Sequence, residues 1–382
     1  MQRDTVFVLT ATYGDGHWQV AQALKNRLLE AGVRVRIINL MAEAHPVWDA
    51  VIRFLFLQSS KLSLIGMNYY GWSYYGTRTM KRNHPLVRTG FTLGMNALKK
   101  MLLQERPVGV ISTFPYFDVA RLCTGVGLDI PTFTVMTDYD LHHRWILSTQ
   151  DRYYVASDAL KQGMVTQNIG EEQIVVSGIP LRAAFASAQE RLMNRLALGL
   201  DPHKRVTLLM SGGYGVGWSV EKGLRMLRRI PEHQVIVVCG KNEKLFQELQ
   251  QQYDQTADVH LFGYVEDIAQ LMSCADAVVT KAGGVTVSEA MSLQVPLFIC
   301  RPQPGQELEN ARFLAAQGMA KVAKHEAELV QLMEAAYDQP TQLQNMRDRM
   351  VSMSRPHAAA AVVHDMLETL QRHQSGTCLH KG

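Results

Sequence analysis

The sequence predicts an α/β protein made of two doubly wound, Rossmann-like domains. Three observations carry that expectation. The chain opens on a short apolar run, 5–11, that enters a glycine turn, Thr12-Tyr13-Gly14-Asp15-Gly16-His17, and then a helical pattern. The same order restarts at 205–210, an apolar β-branched run followed by Ser211-Gly212-Gly213-Tyr214-Gly215-Val216-Gly217. Finally, 382 residues exceed what one ordinary core organises and suit two domains of about 180 residues.

Taken in order, the first helix runs to about residue 31, with Ala21, Leu24 and Leu28 on one face, and 33–40 is the next strand. The opening turn carries glycines but not the GxGxxG spacing, so a dinucleotide site is a weak reading. After an interruption, strands are expected at 108–112, 132–137, 151–155 and 173–177. Gly178-Ile179-Pro180 closes the first domain, 1–180. A charged, helical connector, 181–204, leads to the second domain, 205–355. Its further strands fall at 234–239, 259–263, 276–280, 295–300 and 319–323, alternating with helices as a parallel sheet requires. Residues 356–382 read as a C-terminal helix and polar tail.

The interruption, 46–105, is dense in aromatics, after which it carries Arg78, Lys81, Arg82, His84 and Arg88. Two readings stay open. It is a helical insertion that packs its aromatics inward, or an interfacial face with Trp and Tyr at headgroup level and cations against anionic lipid.

Composition narrows the class. Nearly half the residues, 47%, are apolar, which supplies two cores, and the net charge of +4 is too small for a nucleic-acid binder. The five cysteines, Cys123, Cys239, Cys274, Cys300 and Cys378, form no CxxC pair and mostly lie in apolar runs; they read as buried small hydrophobes in a reducing compartment. The N-terminus enters a strand with no cleavage pattern, and the uncharged stretch 62–77 is too short and polar to span a bilayer. The expected location is cytoplasmic, peripheral to the inner face of the cell membrane.

The densest chemistry lies in 275–312. A buried strand ends in Lys281-Ala282-Gly283-Gly284, and Thr286-x-x-Glu289 reads as a capping box at the start of a helix. A second strand runs into Pro302-x-Pro304-Gly305-Gln306-Glu307, which opens another helix. Both turns present glycine backbone and helix N-termini, which favour phosphate. Glu289 is placed to accept from a ribose hydroxyl pair, and Gln306 and Glu307 to hold sugar hydroxyls; as simpler roles, Glu289 completes the cap and Glu307 faces the helix dipole.

The string GGVTVSEAMSLQVPLFICRPQPGQELENARFLAAQG resembles the nucleotide-sugar segment of the monogalactosyl- and diglucosyl-diacylglycerol synthases, which are related more distantly to the transferase that completes lipid II. The glycines, Glu289, the PGQE tetrapeptide and Asn310 fall in that family's order, and Gly14-x-Gly16-His17 matches its first turn. The resemblance spans roughly 5–325 and implies the GT-B fold, two Rossmann-like domains facing a central cleft. It implies a UDP-glucose or UDP-galactose donor and a diacylglycerol acceptor, with an anionic membrane surface as further partner. The uracil then lies on the loop with Tyr264 and Val265, the diphosphate against Ser211, Gly212, Gly213, Gly283 and Gly284, the ribose on Glu289, and the hexose on Gln306 and Glu307, with Thr286 and Gly305 also counted to the donor site. No cofactor or metal is expected, since helix N-termini offset the diphosphate.

On the acceptor side the resemblance places Gly14, Gly16, Tyr139, His142 and Trp145. An inverting transfer needs a base; His17, at a helix N-terminus whose dipole keeps imidazole neutral, is the first candidate, with Asp118 or Asp138 to orient or replace it. His17 as a cap or a mere acceptor contact, His142 and His143 as loop histidines with no ligand role, and Asp138-x-Asp140 as a metal-binding pair remain the competing roles. A lipid II-type N-acetylglucosaminyltransferase, a UDP-sugar 2-epimerase and a non-catalytic UDP-sugar sensor are the alternative functions.

Overall fold

The structure, a computed structural model, describes residues 5–52, 54, 69–79, 94–186, 191–211 and 219–379. These form two compact units. The first takes the described residues within 1–56, 72–182 and 355–382, and the second those within 57–71 and 183–354.

Each unit is built on a six-stranded parallel sheet. In the first, β1 (Thr5–Thr10), β2 (Arg34–Asn39), β3 (Gly109–Ser112), β4 (Thr132–Val135), β5 (Arg152–Val155) and β6 (Ile174–Val176) lie in the order β2-β1-β3-β4-β5-β6. Leu9 pairs with Ile38 on one side and Ser112 on the other. Helices cover both faces of a parallel sheet, so Val6, Phe7, Val8 and Leu9 are all fully buried, which is why the strand reads as an unbroken apolar run. Helix Met95–Glu105 turns Leu98 and Leu102, one helical repeat apart, onto the core around Phe7 and Val110.

In the second unit, β7 (Arg205–Met210), β8 (His233–Val238), β9 (Val259–Phe262), β10 (Ala277–Thr280), β11 (Leu297–Cys300) and β12 (Ala320–Ala323) take the order β12-β11-β10-β7-β8-β9. Helix Val220–Leu227 buries Val220, Gly223, Leu224 and Leu227, a repeating 3–4 spacing that makes one apolar stripe against β7 and β8. The chain changes direction beside β1 in the first sheet, between β1 and β3, and beside β7 in the second, between β7 and β10. In open α/β sheets such switch points leave a crevice at the carboxyl ends of the strands.

Three details differ from the sequence expectation or extend it. The helix after β10 is Gly284–Ser292 with Gly283 as its N-cap and no side-chain cap bond, so Thr286 and Glu289 do not form a capping box. Glycine starts the helix through its backbone alone, and Thr286 falls inside the first turn. The last helix, Ala358–Leu379, returns to the first unit, where Asp365 accepts from the Tyr154 hydroxyl at 2.8 Å. Of the aromatic interruption, helix Tyr69–Thr77 buries Tyr74 but leaves Trp72 81% exposed. Lys81, Arg82, His84 and Arg88 lie outside the described residues.

Candidate active site

In the first unit, His17 sits in the first turn of helix Asp15–Glu30, directly beyond β1 at the switch point. Its Nδ1 is 2.7 Å from the carbonyl oxygen of Thr113, the residue after β3, and 3.1 Å from the Thr137 hydroxyl, just beyond β4. A carbonyl only accepts, so Nδ1 carries the proton and Nε2 keeps its lone pair. The Thr113 hydroxyl lies 3.1 Å from the His17 carbonyl, so the two residues hold each other twice. Phe114 meets the imidazole edge-on at 5.2 Å and Trp145 lies 6.1 Å away. Burial pushes the His17 pKa down to about 4, against the smaller upward pull of the Thr113 bond. The ring is therefore neutral, as expected, but burial rather than the helix dipole is the leading cause.

The other acceptor-side candidates divide. Gly14 caps the His17 helix in an extended conformation, and a Cβ added there meets no atom within 4 Å. Gly16 follows in the first turn, and Trp145 and Tyr139 are buried on the 137–145 segment. His142 is a pin. Its Nε2 donates to the Tyr74 carbonyl at 3.2 Å while its Nδ1 accepts from the Arg144 amide at 3.1 Å, so neither ring nitrogen remains for an acceptor contact. Burial, with Arg144 adding to it, pushes its pKa to about 4.

Asp140 accepts from the Tyr74 hydroxyl and from Arg78, both at 2.6 Å, so its carboxylate is committed to tying helix Tyr69–Thr77 to this segment. Asp138 is buried beside it, and among the described residues no cluster of three or more His, Cys, Asp or Glu is arranged for a metal. Asp118 caps helix Val119–Gly125 in a left-handed conformation, 3.8 Å from Arg121; the groups at His17 Nδ1 are Thr113 and Thr137 instead.

In the second unit, the half-buried turn after β10 lies at the switch point. Gly283 has φ −71°, which any residue adopts, and an added Cβ meets no atom within 4 Å. Neither backbone nor packing requires glycine here. What glycine leaves open is the helix N-terminus, whose first amides have no acceptor within the helix. Asn310, fully buried, donates from Nδ2 to the Ala282 carbonyl at 2.9 Å and clamps this turn from the following helix. Gly305 is different: its φ of 111° is one that side chains avoid.

Thr286 is half-buried in the first turn, and Glu289 is buried one turn further along the same helix. Gln306 and Glu307 begin helix Gln306–Ala316, with Glu307 accepting from the Gln303 amide at 3.4 Å and lying 3.9 Å from Lys281. Ser211 uses its hydroxyl on the Cys239 carbonyl at 2.9 Å and its amide on Val238. Tyr264 is exposed, with Lys241 over its ring at 5.6 Å, and Val265 is half-buried. Gly212 and Gly213 lie outside the described residues.

Comparison with known proteins gives the family. The family model for monogalactosyldiacylglycerol (MGDG) synthase matches residues 17–181, and that for the glycosyltransferase family 28 C-terminal domain matches 217–362. Processive diacylglycerol beta-glucosyltransferase of Bacillus mycoides is 36% identical over 364 residues, covering 95% of this chain and 93% of that protein. That of Bacillus cytotoxicus is 36% identical over 367 residues, with the same two coverages.

The chain belongs to the diacylglycerol glycosyltransferase family.

As a member it is a hexosyltransferase, and its fold is GT-B. Solved structures bear on the fold alone. MurG of Acinetobacter baumannii matches with a TM-score of 0.61 at 16% identity, over 96% of this chain and 99% of that one. The Neisseria meningitidis UDP-GlcNAc 2-epimerase, bound to UDP-GlcNAc, matches with a TM-score of 0.60 at 15% identity, over 95% and 99%. For this glycosyltransferase, sequence reasoning missed Thr113 and Thr137, 96 and 120 residues from His17. The available signal was their place just beyond strands β3 and β4.

Proposed function

We propose that the protein transfers glucose or galactose from a UDP-sugar to diacylglycerol, inverting the anomeric carbon in one displacement. The observation that carries the reading is the tautomer of His17. Thr113 holds the Nδ1 proton, so the Nε2 lone pair is the basic atom at the carboxyl end of β1. The family's relatives support the lipid acceptor, since those named above are diacylglycerol glucosyltransferases.

In the reaction, Nε2 takes the proton of the glycerol hydroxyl as its oxygen attacks the anomeric carbon. The bond from that carbon to the UDP oxygen breaks, and UDP leaves as the anion. The resulting imidazolium donates from Nδ1 to the Thr113 carbonyl, a charge-assisted bond that favours the proton-bearing form. On the donor side, the open helix N-termini at Gly283 and Gly305 stabilise the charge that develops on the leaving diphosphate. That removes the need for a divalent metal. Glu289 takes the ribose hydroxyls, and Gln306 and Glu307 the hexose.

The enzyme works peripherally at the inner face of the cell membrane, where its acceptor resides. Among the described residues no helix is long and apolar enough to cross a bilayer. Incubation with UDP-glucose or UDP-galactose and diacylglycerol in anionic vesicles tests the reading by lipid analysis. A new hexosyl-diacylglycerol supports it; UDP release with no glycolipid contradicts it.

A further inference from the structure

Asp140 joins two parts of the first unit. The Tyr74 hydroxyl, on helix Tyr69–Thr77, donates to its Oδ2, and the Arg78 guanidinium just beyond that helix donates to its Oδ1, each at 2.6 Å. Burial foremost, then the bond to Asp140 itself, keeps the Tyr74 hydroxyl protonated, so it stays a donor. The same two parts are laced together on either side. Arg144 donates to the Thr77 hydroxyl at 2.7 Å, and the His143 amide to the Arg78 carbonyl at 3.2 Å. The Tyr74 ring meets His142 edge-on at 4.7 Å.

The segment that Asp140 belongs to also covers the imidazole of His17. Thr137, three residues before it, has its hydroxyl 3.1 Å from His17 Nδ1; Trp145, five residues after it, has its ring 6.1 Å from that of His17. Both are buried. Residues 136–142 belong to no helix or strand, and such a loop takes its path from bonds to its neighbours. Bonds to an ionised carboxylate are among the stronger ones available for this. Among the described residues, the groups set against the His17 ring are Thr113 and Phe114 after β3, and Thr137 and Trp145 after β4. None of the four carries a charge. The neutral state of the ring therefore depends on cover, and half of that cover comes from the segment tied down at Asp140.

We propose that Asp140 is a positioning residue for the transfer: by receiving Tyr74 and Arg78 it holds the 137–145 segment so that Thr137 and Trp145 keep His17 covered and oriented. The inference rests on the transferase reading and deepens it, since Asp140 acts through the candidate base rather than on either substrate. It also gives the second acid of Asp138-x-Asp140 a role that needs no cation.

Asp140→Ala removes both acceptor oxygens. With a UDP-sugar and diacylglycerol in vesicles, kcat is expected to fall about ten- to a hundredfold, the cost of a slightly misplaced reacting group. UDP affinity by calorimetry stays at the wild-type value. The deciding readout is the acidic limb of kcat/KM. With the cover loosened and water admitted, it moves up from about 4 towards 6.5. Tyr74→Phe deletes one hydroxyl and keeps the ring; it is expected to shift rate and limb the same way by less, and it carries the test if the alanine variant does not fold. A wild-type rate overturns the proposal, and so does a lowered kcat with the limb unmoved, which marks an acid that only steadies the chain. The titration of His17 itself, followed by NMR of isotope-labelled histidine and identified by its absence in His17→Gln, needs no turnover. A titration unmoved in the variants overturns the proposal whatever the rates; a wild-type protein that makes no glycolipid overturns the transferase reading instead.

Discussion

The Nδ1 of His17 lies 2.7 Å from the carbonyl oxygen of Thr113, and the Thr113 hydroxyl lies 3.1 Å from the carbonyl of His17. Two residues separated by 96 positions fix one tautomer of one imidazole. That relationship, rather than proximity to an acid, singles out the proposed base.

It has a consequence for pH. With its pKa lowered to about 4 by burial, His17 is neutral well below the ordinary histidine range. The acidic limb of kcat/KM is therefore expected near pH 4–5, with no inflection near 6.5. A rate profile measured from pH 4.5 to 8 at constant ionic strength checks this, and a full inflection close to 6.5 would show an exposed, ordinary histidine in control.

Gly283→Ala separates structure from binding. The backbone there accepts alanine and no atom obstructs the added Cβ. Tm should hold or rise slightly, since such a change stabilises by about 0.4–1 kcal/mol where it fits. UDP affinity should fall by about 1.5–3 kcal/mol through lost close approach of phosphate to the helix amides. Calorimetric affinity equal to wild type would remove the diphosphate from this turn.

On the proposed mechanism turnover is expected to survive excess EDTA, because it assigns the electrostatic role to the amides at Gly283 and Gly305. Loss of activity restored by Mg²⁺ or Mn²⁺ would return attention to Asp138, since Asp140 is committed to Arg78 and Tyr74.

Acid stability should report two other histidines. Burial lowers His142 and His233 to about 4, and both are bonded to backbone carbonyls, Tyr74 and Leu227. A group with a depressed folded pKa contributes fully above its unfolded value, here 6.5, and the contribution is lost as pH falls through 6.5 towards 4. Denaturant unfolding should lose on the order of a few kcal/mol across that window. His233→Gln should flatten the slope; an unchanged slope would mean that the histidine is solvated in the native state.

The twelve strands among the described residues were legible in the sequence because buried parallel strands are short β-branched runs ending in turns. Gly283 shows where pattern reading stops: Thr286-x-x-Glu289 has the spacing of a capping box, yet the helix begins at the glycine before it. His17 was legible from its turn, but its partner Thr113 was not, since a backbone carbonyl carries no residue signature. Asn310 stood out in the motif, while its duty, holding the Ala282 carbonyl, emerges only from the packing of two helices. His142 stayed open in sequence because a histidine in a loop looks the same whether it serves a ligand or, as here, the chain itself.

The most direct test of the account is the turnover of His17→Gln with UDP-glucose or UDP-galactose and diacylglycerol, measured beside its affinity for UDP. Glutamine keeps a polar side chain but cannot take the proton. A general base supplies roughly 10²–10⁴-fold, so kcat is expected to fall within that range while UDP affinity is unchanged. A variant that turns over at nearly the wild-type rate would contradict the assignment of Nε2 as the base.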